Sequence, residues 1–304
     1  MTKSDELREP GRTRDENEAA RGYTETWCKR GEIGHVALSS GARVRYLRVG
    51  SGSPLVLMHT VRTQLDHFQR VIPQISDTFT VYAVDFPGMG WSDIVPGASY
   101  EEPALRAAVV RVVDELDLSD LTLAGESLGA TLALTASVDL GERVRRVVAF
   151  NAYDYAGGLK RASPFARVVV GSIEAPAVGP VVARLENRHI LWGVLRGGVR
   201  NPSHFPDHYL DELARVGKRP GYTVVARGIY RSLDSLIAAR QRYARISVPV
   251  TLVYGTHDWS RPSDRQANIE SVPGARSIVL RDAGHFTALE VPHDVVRILR
   301  SVAP

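Results

Sequence analysis

The chain has 304 residues, of which 44% are hydrophobic and 24% charged, and its formal net charge is +4. This length and composition predict one large globular α/β domain with an insertion, or two smaller domains. Nucleic-acid binding is disfavoured, because the 38 basic residues are spread along the chain among 34 acidic ones. No apolar run approaches the roughly 20 residues that a membrane-spanning helix needs.

The N-terminal residues 1–32 are polar and mix charges of both signs. They predict a disordered tail, and they lack the apolar core of a secretory signal. The single cysteine, Cys28, lies in this segment, so no internal disulfide can form and a reducing, cytoplasmic location is expected. The sequence leaves the oligomeric state open, a homo-oligomer included.

From residue 33 onward, apolar runs of strand length alternate with segments of helical periodicity. This alternation predicts an α/β fold with a mostly parallel central sheet flanked by helices. The expected elements are, in chain order, a hairpin at 35–50, a strand at 54–59, an amphipathic stretch at 65–75, a strand from residue 79, a helix at 100–117, strands at 121–124, 143–152 and 248–255, a helix near 262–271, a strand from residue 276 and a last helix at 288–301.

Strand signals are absent between residues 153 and 246, where prolines punctuate short helical segments. We therefore predict a core made of residues 33–152 and 247–304, with a helical cap, 153–246, inserted between the late strands. Ligands of open α/β sheets bind outside the carboxyl ends of the strands, so the cap is expected to cover the ligand. The segment 153–247 carries 15 Lys or Arg against 7 Asp or Glu, which makes an anionic small-molecule substrate one alternative.

The stretch Gly125-Glu126-Ser127-Leu128-Gly129 joins an apolar strand run to a helical run. Gly-x-Ser-x-Gly at such a junction is typical of a nucleophile elbow, whose glycines permit a tight turn that exposes the serine. The helix N-terminus adds a favourable field, and the N–H of Leu128 is available to a developing oxyanion. Taken alone, the pattern fits a turn without chemistry equally well.

A serine nucleophile needs a base and a group that orients the base. Asp258 follows one predicted buried strand and His285 follows the next, so both are expected at the sheet edge that carries Ser127. The chain order Ser, Asp, His is the order found in hydrolases of this architecture. We predict Ser127 as the nucleophile, His285 as the base and Asp258 as the orienting acid. Asp154 is a rival for the acid, because it follows the preceding strand.

The motifs GESLG, VDFPGMGWSD, YGTHD and AGHF together resemble those of the α/β-hydrolase superfamily, over about residues 33–304. The resemblance is to the cap-bearing branch that includes esterases, epoxide hydrolases, haloalkane dehalogenases and carbon–carbon bond hydrolases. It implies an α/β-hydrolase fold and places Asp85 in a structural loop. Dehalogenases and epoxide hydrolases of this branch use an aspartate nucleophile where this chain has Ser127, which argues against both activities.

The loop after the first buried strand departs from the family pattern, because Thr60 replaces the glycine that usually follows the histidine. By position, the N–H of Val61 would complete the oxyanion hole with that of Leu128. Arg62 either binds a substrate carboxylate as a fork, faces solvent, or pairs with an acid of the cap. The candidate substrate contacts are His59, Thr60, Arg62 and Trp259.

The resemblance and the predicted triad imply a serine hydrolase that cleaves a small carboxylic ester or related acyl compound through an acyl-enzyme. No cofactor and no metal are expected, since the histidines and Cys28 show no ligand spacing. Carbon–carbon hydrolysis of a vinylogous diketone by the same triad is the first alternative, although HTVRTQ does not match the glycine-rich oxyanion loop of those relatives. A ligand-binding or receptor protein that retains the fold is the second.

Overall fold

The structure, a computed structural model, describes residues 22–304. The strands in this range are β1 (Glu32–Ala37), β2 (Arg43–Val49), β3 (Ser53–Met58), β4 (Phe79–Val84), β5 (Leu121–Glu126), β6 (Val144–Phe150), β7 (Val250–Gly255) and β8 (Arg276–Leu280). They form one sheet in the order β1-β2-β4-β3-β5-β6-β7-β8. β2 is antiparallel to β1 and β4, whereas every other neighbouring pair is parallel.

Helices cover the sheet and also fill the long connection from β6 to β7. In chain order they are α1 (Ile72–Ile75), α2 (Glu102–Glu115), α3 (Leu128–Leu140), α4 (Pro164–Glu174), α5 (Gly179–Arg184), α6 (Arg188–Leu195), α7 (Asp207–Val216), α8 (Tyr222–Ala239), α9 (Pro262–Ser271), α10 (Thr287–Glu290) and α11 (Pro292–Ser301). The predicted fold class is confirmed, with α4 to α8 lying between the late strands. The division into core and cap at residues 153 and 246 stays a prediction.

Both faces of the sheet are buried. Val56 and Met58 of β3 pack on the face covered by α2 and α3, while Leu55 and Leu57 pack on the face covered by α1 and α11. Successive side chains of a strand point to opposite faces, so one unbroken apolar run supplies both layers of the core. This is why the central parallel strands could be recognised as continuous hydrophobic runs.

The predicted N-terminal tail needs a correction. Residues 1–21 lie outside the described part of the chain, but residues 22–32 are not disordered and begin with a helical turn. The hydroxyl of Thr24 donates to Asp66 at 2.7 Å, and the indole N–H of Trp27 donates to the same carboxylate at 2.8 Å. A buried carboxylate requires hydrogen-bond donors, and this segment supplies them, which its polar composition did not reveal.

The parallel strands bring the predicted site residues to one edge of the sheet. His59 directly follows β3, Ser127 directly follows β5, and Asp258 and His285 follow β7 and β8 within a few residues. The connection that contains α4 to α8 leaves the sheet at the same edge, after β6. No helix within residues 22–304 combines the length and the apolar character needed to cross a bilayer.

Candidate active site

Ser127 lies in a sharp turn between β5 and α3. Its φ of 59° and ψ of −115° fall outside the regions that residues other than glycine usually adopt. The turn is held by its backbone, since the N–H of Ser127 donates to Phe150 at 2.8 Å and its carbonyl accepts from Tyr153 at 3.2 Å. Strained conformations persist only where the surrounding structure fixes them, and this one has the shape of a nucleophile elbow.

Gly129, the last glycine of the motif, permits close packing of α3 against the end of β3. A Cβ at this position would lie 2.7 Å from the carbonyl oxygen of His59 and closer still to that of Met58. Only glycine allows this approach. The approach brings the N-terminus of α3, with the N–H of Leu128, beside the loop that carries Val61.

His285 and Asp258 form a buried pair. The Nδ1 of His285 lies 2.5 Å from Oδ1 of Asp258, and both side chains are fully buried. The backbone N–H of Ser260 donates to Oδ2 of Asp258 at 3.0 Å, and its hydroxyl donates to the same atom. Burial alone would raise the pKa of Asp258, but His285 and Ser260 outweigh burial and hold this pKa below its ordinary value. An ionised Asp258 fixes the proton of His285 on Nδ1 and leaves Nε2 free to act as a base.

Oγ of Ser127 and Nε2 of His285 are among the buried polar atoms that have no hydrogen-bond partner in residues 22–304. Buried polar atoms are normally hydrogen-bonded, so these two are exceptions that need a reason. Hydrogen bonds between catalytic groups are often long before substrate binds and shorten in the complex. Oγ of Ser127 and Nε2 of His285 are the two atoms between which a proton would pass.

Glu126 connects the turn of Ser127 to the loop of His285. Its Oε1 accepts a hydrogen bond from the N–H of Thr287 at 2.6 Å, and its Oε2 contacts Nε2 of His67. The side chain is 1% exposed. Glu126 is thus a structural partner that anchors the chain just beyond His285.

Asn151, which follows β6, was missed by the sequence analysis. Its amide nitrogen donates to the carbonyl of His285 at 2.8 Å, and its amide oxygen accepts from Gly255 at 2.9 Å. The side chain therefore fixes the end of β7 and the loop of His285 relative to β6. The one signal in the sequence is an asparagine directly after a strand, because asparagine tolerates a positive φ such as the 47° found here.

Asp154, the rival acid, faces other partners. It accepts hydrogen bonds from the hydroxyl of Tyr243 at 2.7 Å and from the amide of Asn268 at 2.9 Å. Burial raises the pKa of Asp154 to about 6. The carboxylate that meets His285 in the described structure is that of Asp258.

His59 and Thr60 shape the loop after β3. The Nδ1 of His59 donates to the carbonyl of Thr60 at 2.7 Å, and its Nε2 accepts from the N–H of Phe86 at 3.1 Å. Burial lowers the pKa of His59 to about 4, so the ring is neutral. Both ring nitrogens are hydrogen-bonded to backbone groups, which argues against the predicted substrate contact by His59.

Thr60 occupies the position at which the family has glycine. The positive φ of this loop, 62°, belongs to Arg62 and not to Thr60, so the backbone accommodates threonine there.

Arg62 is buried and forms an ion pair with Glu186, which lies between α5 and α6. Its guanidinium carbon lies 5.3 Å from the ring centroid of Tyr222 and 5.6 Å from that of Tyr230. Among the alternatives for Arg62, the structure shows pairing with an acid of the inserted segment. Two of its nitrogens, Nε and Nη1, have no partner in the described chain.

Trp259 forms part of the wall around His285. The two rings are stacked, with centroids 3.6 Å apart and planes inclined by 12°. The indole N–H donates to the carbonyl of Gly197 at 2.8 Å, which links this wall to the segment between β6 and β7.

Comparison with known proteins agrees with the fold. The family model described as the alpha/beta hydrolase fold matches residues 53–292. The chain is 27% identical over 267 residues to the dihydrolipoyllysine-residue acetyltransferase component of the acetoin cleaving system of Cupriavidus necator, a match that covers 86% of this chain and 66% of that protein.

Two further similarities extend over nearly the whole length of the proteins concerned. The chain is 23% identical over 288 residues to 2-hydroxy-6-oxo-2,4-heptadienoate hydrolase of Pseudomonas putida, covering 88% of this chain and 95% of the other. The crystal structure of Cfl2 from Burkholderia cenocepacia matches with a TM-score of 0.77 at 23% identity, over 90% of this chain and 95% of that one. At this level of identity the structural likeness shows the fold.

Proposed function

The chain belongs to the alpha/beta hydrolase fold family and is an enzyme of that superfamily, and from this premise we propose that it is a serine hydrolase acting on a small carboxylic ester or related acyl compound. The observation that carries the proposal is the buried His285–Asp258 pair, whose free Nε2 and the Oγ of Ser127 are both unpartnered in residues 22–304. The reaction calls on no metal or cofactor. The setting inferred from the unpaired Cys28 is cytoplasmic.

In the proposed reaction, Nε2 of His285 takes the proton of Ser127 as Oγ attacks the acyl carbon. Asp258 holds the imidazole in the Nδ1–H tautomer and stabilises its protonated form. His285 then gives the proton to the leaving group, and an acyl-enzyme remains on Ser127. Water activated by His285 attacks this ester, releases the acid and returns the proton to Ser127.

The oxyanion of each tetrahedral intermediate would be stabilised by the N–H groups of Leu128 and Val61. Leu128 is the first residue of α3, and the first N–H groups of a helix have no acceptor within the helix. The close packing at Gly129 supports this assignment, because it brings the start of α3 next to the loop of Val61.

A second candidate function is hydrolysis of a carbon–carbon bond in a vinylogous diketone by the same three residues. The observation in its favour is the similarity to a protein named 2-hydroxy-6-oxo-2,4-heptadienoate hydrolase. The loop HTVRTQ, which does not match the glycine-rich oxyanion loop of carbon–carbon hydrolases, weighs against this second function. A ligand-binding protein that retains the fold would differ from both enzymes in showing no turnover of esters or diketones.

The deciding experiment treats the protein and its Ser127→Ala variant with a fluorophosphonate probe, followed by intact mass measurement and peptide mapping. We expect one adduct on Ser127 in the wild type and none in the variant, together with steady-state hydrolysis of simple esters. A folded wild type without an adduct would overturn the proposal. An adduct on Ser127 without turnover of any ester or diketone would favour the binding protein.

A further inference from the structure

The segment between β6 and β7 lines a partly open cavity of about 730 Å³, a volume in the range of small-molecule sites. Its wall carries five basic side chains against two carboxylates, those of Glu186 and Asp211. Arg188 pairs with Asp207 and Asp211, and Arg215 pairs with Glu212, so part of this positive charge is neutralised. The remainder favours anions at the cavity. The basic side chains are those of Arg184, Arg188, Arg215, Lys218 and Arg219.

Arg62 lies behind one wall of the cavity. Glu186 and Tyr222 both line the cavity, and both also contact Arg62, the first by an ion pair and the second through its ring face at 5.3 Å from the guanidinium carbon. Arg62 directly follows Val61, the proposed donor to the oxyanion. Arg62 therefore contacts two residues of the cavity wall and directly follows the proposed oxyanion donor in the chain.

The pair itself is only partly satisfied. The side chain of Arg62 is 3% exposed and that of Glu186 is 11% exposed, yet they share a contact through Nη2 and Oε1 alone. Nε and Nη1 of Arg62 and Oε2 of Glu186 have no partner in the described residues. A buried guanidinium with unpaired donors is costly, and a carboxylate that spans two of its nitrogens would satisfy it.

We propose that Arg62 is the carboxylate-binding residue of the substrate site, and that the substrate is an acyl compound that carries a second, anionic end. This inference rests on the proposed function, because Ser127 attacks the acyl group whose far carboxylate Arg62 holds. The incoming carboxylate replaces Glu186, which turns towards the basic wall of the cavity. In the empty enzyme Glu186 keeps the guanidinium paired.

The test compares two esters with the same six-carbon acyl chain, monomethyl adipate and methyl hexanoate, which differ in the terminal carboxylate. We expect the ratio of their kcat/KM values to favour the adipate ester in the wild type. Glu186→Gln removes the competing carboxylate and should raise the ratio several-fold. The double variant Arg62→Met with Glu186→Gln removes the pair without leaving a lone buried charge, and should lower the ratio about tenfold or more.

Arg167→Met is the matched control, because Arg167 is an exposed arginine of α4 outside the wall of the cavity. It removes the same charge and should leave the ratio unchanged. The same ratio in wild type, Glu186→Gln and the double variant would overturn the inference, and so would an equal fall in Arg167→Met.

Fluorophosphonate labelling separates this inference from the proposed function. If Ser127 is labelled in every variant while the ratio stays constant, the serine hydrolase stands and the carboxylate site is wrong. If Ser127 is not labelled, the hydrolase is wrong and adipate itself becomes the probe. Adipate should then raise the unfolding temperature of the wild type and not that of the double variant, and equal shifts would reject the site.

Discussion

The carboxylate of Glu126 accepts a hydrogen bond of 2.6 Å from the backbone N–H of Thr287, a residue 161 positions away in the chain. Glu126 precedes Ser127, and Thr287 follows His285 by two positions. The contact therefore connects the turn of the proposed nucleophile with the loop of the proposed base. The distance between this turn and this loop therefore depends on a buried carboxylate outside the proposed triad.

Replacing Glu126 should disturb this connection. Its Oε1 accepts from both the N–H and the hydroxyl of Thr287 and from the N–H of Ala288. Glu126→Ala leaves these buried donors unsatisfied and should cost about 2–4 kcal/mol of unfolding free energy, with kcat falling more than KM rises. Glu126→Gln keeps one oxygen acceptor and should recover most of kcat. Urea unfolding and ester kinetics check both, and an unchanged kcat in Glu126→Ala would refute the positioning role.

Gly129→Ala should misplace the start of α3, because its Cβ would meet the carbonyl oxygens of Met58 and His59. We expect a loss of stability of about 1–3 kcal/mol from overpacking and a large fall in kcat. Gly171→Ala in α4 is the control, since no atom apart from the neighbouring backbone of its own helix lies within 4 Å of the added methyl group. That change should leave activity intact and stabilise the protein by up to about 1 kcal/mol. Similar behaviour of the two variants would contradict the packing argument.

Replacing each of the two candidate acids, Asp258 and Asp154, should affect activity differently. Asp258→Asn should lower kcat by about 10⁴, since an amide favours the wrong tautomer of His285. Asp154→Asn should retain most activity, because Asp154 bonds to Tyr243 and Asn268. Steady-state kinetics on one ester at one pH measures both. A greater loss in the folded Asp154→Asn protein would assign the acid to Asp154.

Asp154 should also make stability depend on pH. Burial raises the pKa of Asp154 in the folded protein to about 6 from an ordinary value of 3.8. The folded protein therefore binds the proton of this carboxyl group more tightly than the unfolded chain does. The resulting stabilisation is fully present below about pH 4 and is lost as the pH rises through about 6. Relative to Asp154→Asn, the wild type should lose on the order of 2 kcal/mol of unfolding free energy between pH 4 and pH 7. The measurement is the free energy of unfolding in urea as a function of pH. Parallel curves for the wild type and Asp154→Asn would contradict this prediction.

By itself the sequence determined the local elements and the residues at their ends. The runs around Leu121–Glu126 and Leu128–Leu140 predict a strand and a helix, and the glycines between them predict the turn of Ser127. Strand periodicity, helix periodicity and the tolerance of glycine for tight turns act over a few neighbouring residues. The fold class and the chain order of Ser127, Asp258 and His285 therefore follow from local patterns in the amino-acid sequence.

Only the tertiary structure decided which distant groups meet. It placed Asp258 and not Asp154 against His285, paired Arg62 with Glu186 at 124 positions' separation, and brought the helical turn at 22–27 onto a buried carboxylate. Each of these outcomes concerns a charged or polar side chain whose burial must be compensated by a partner. The identity of that partner depends on how the segments pack in space, and no local pattern in the chain encodes it.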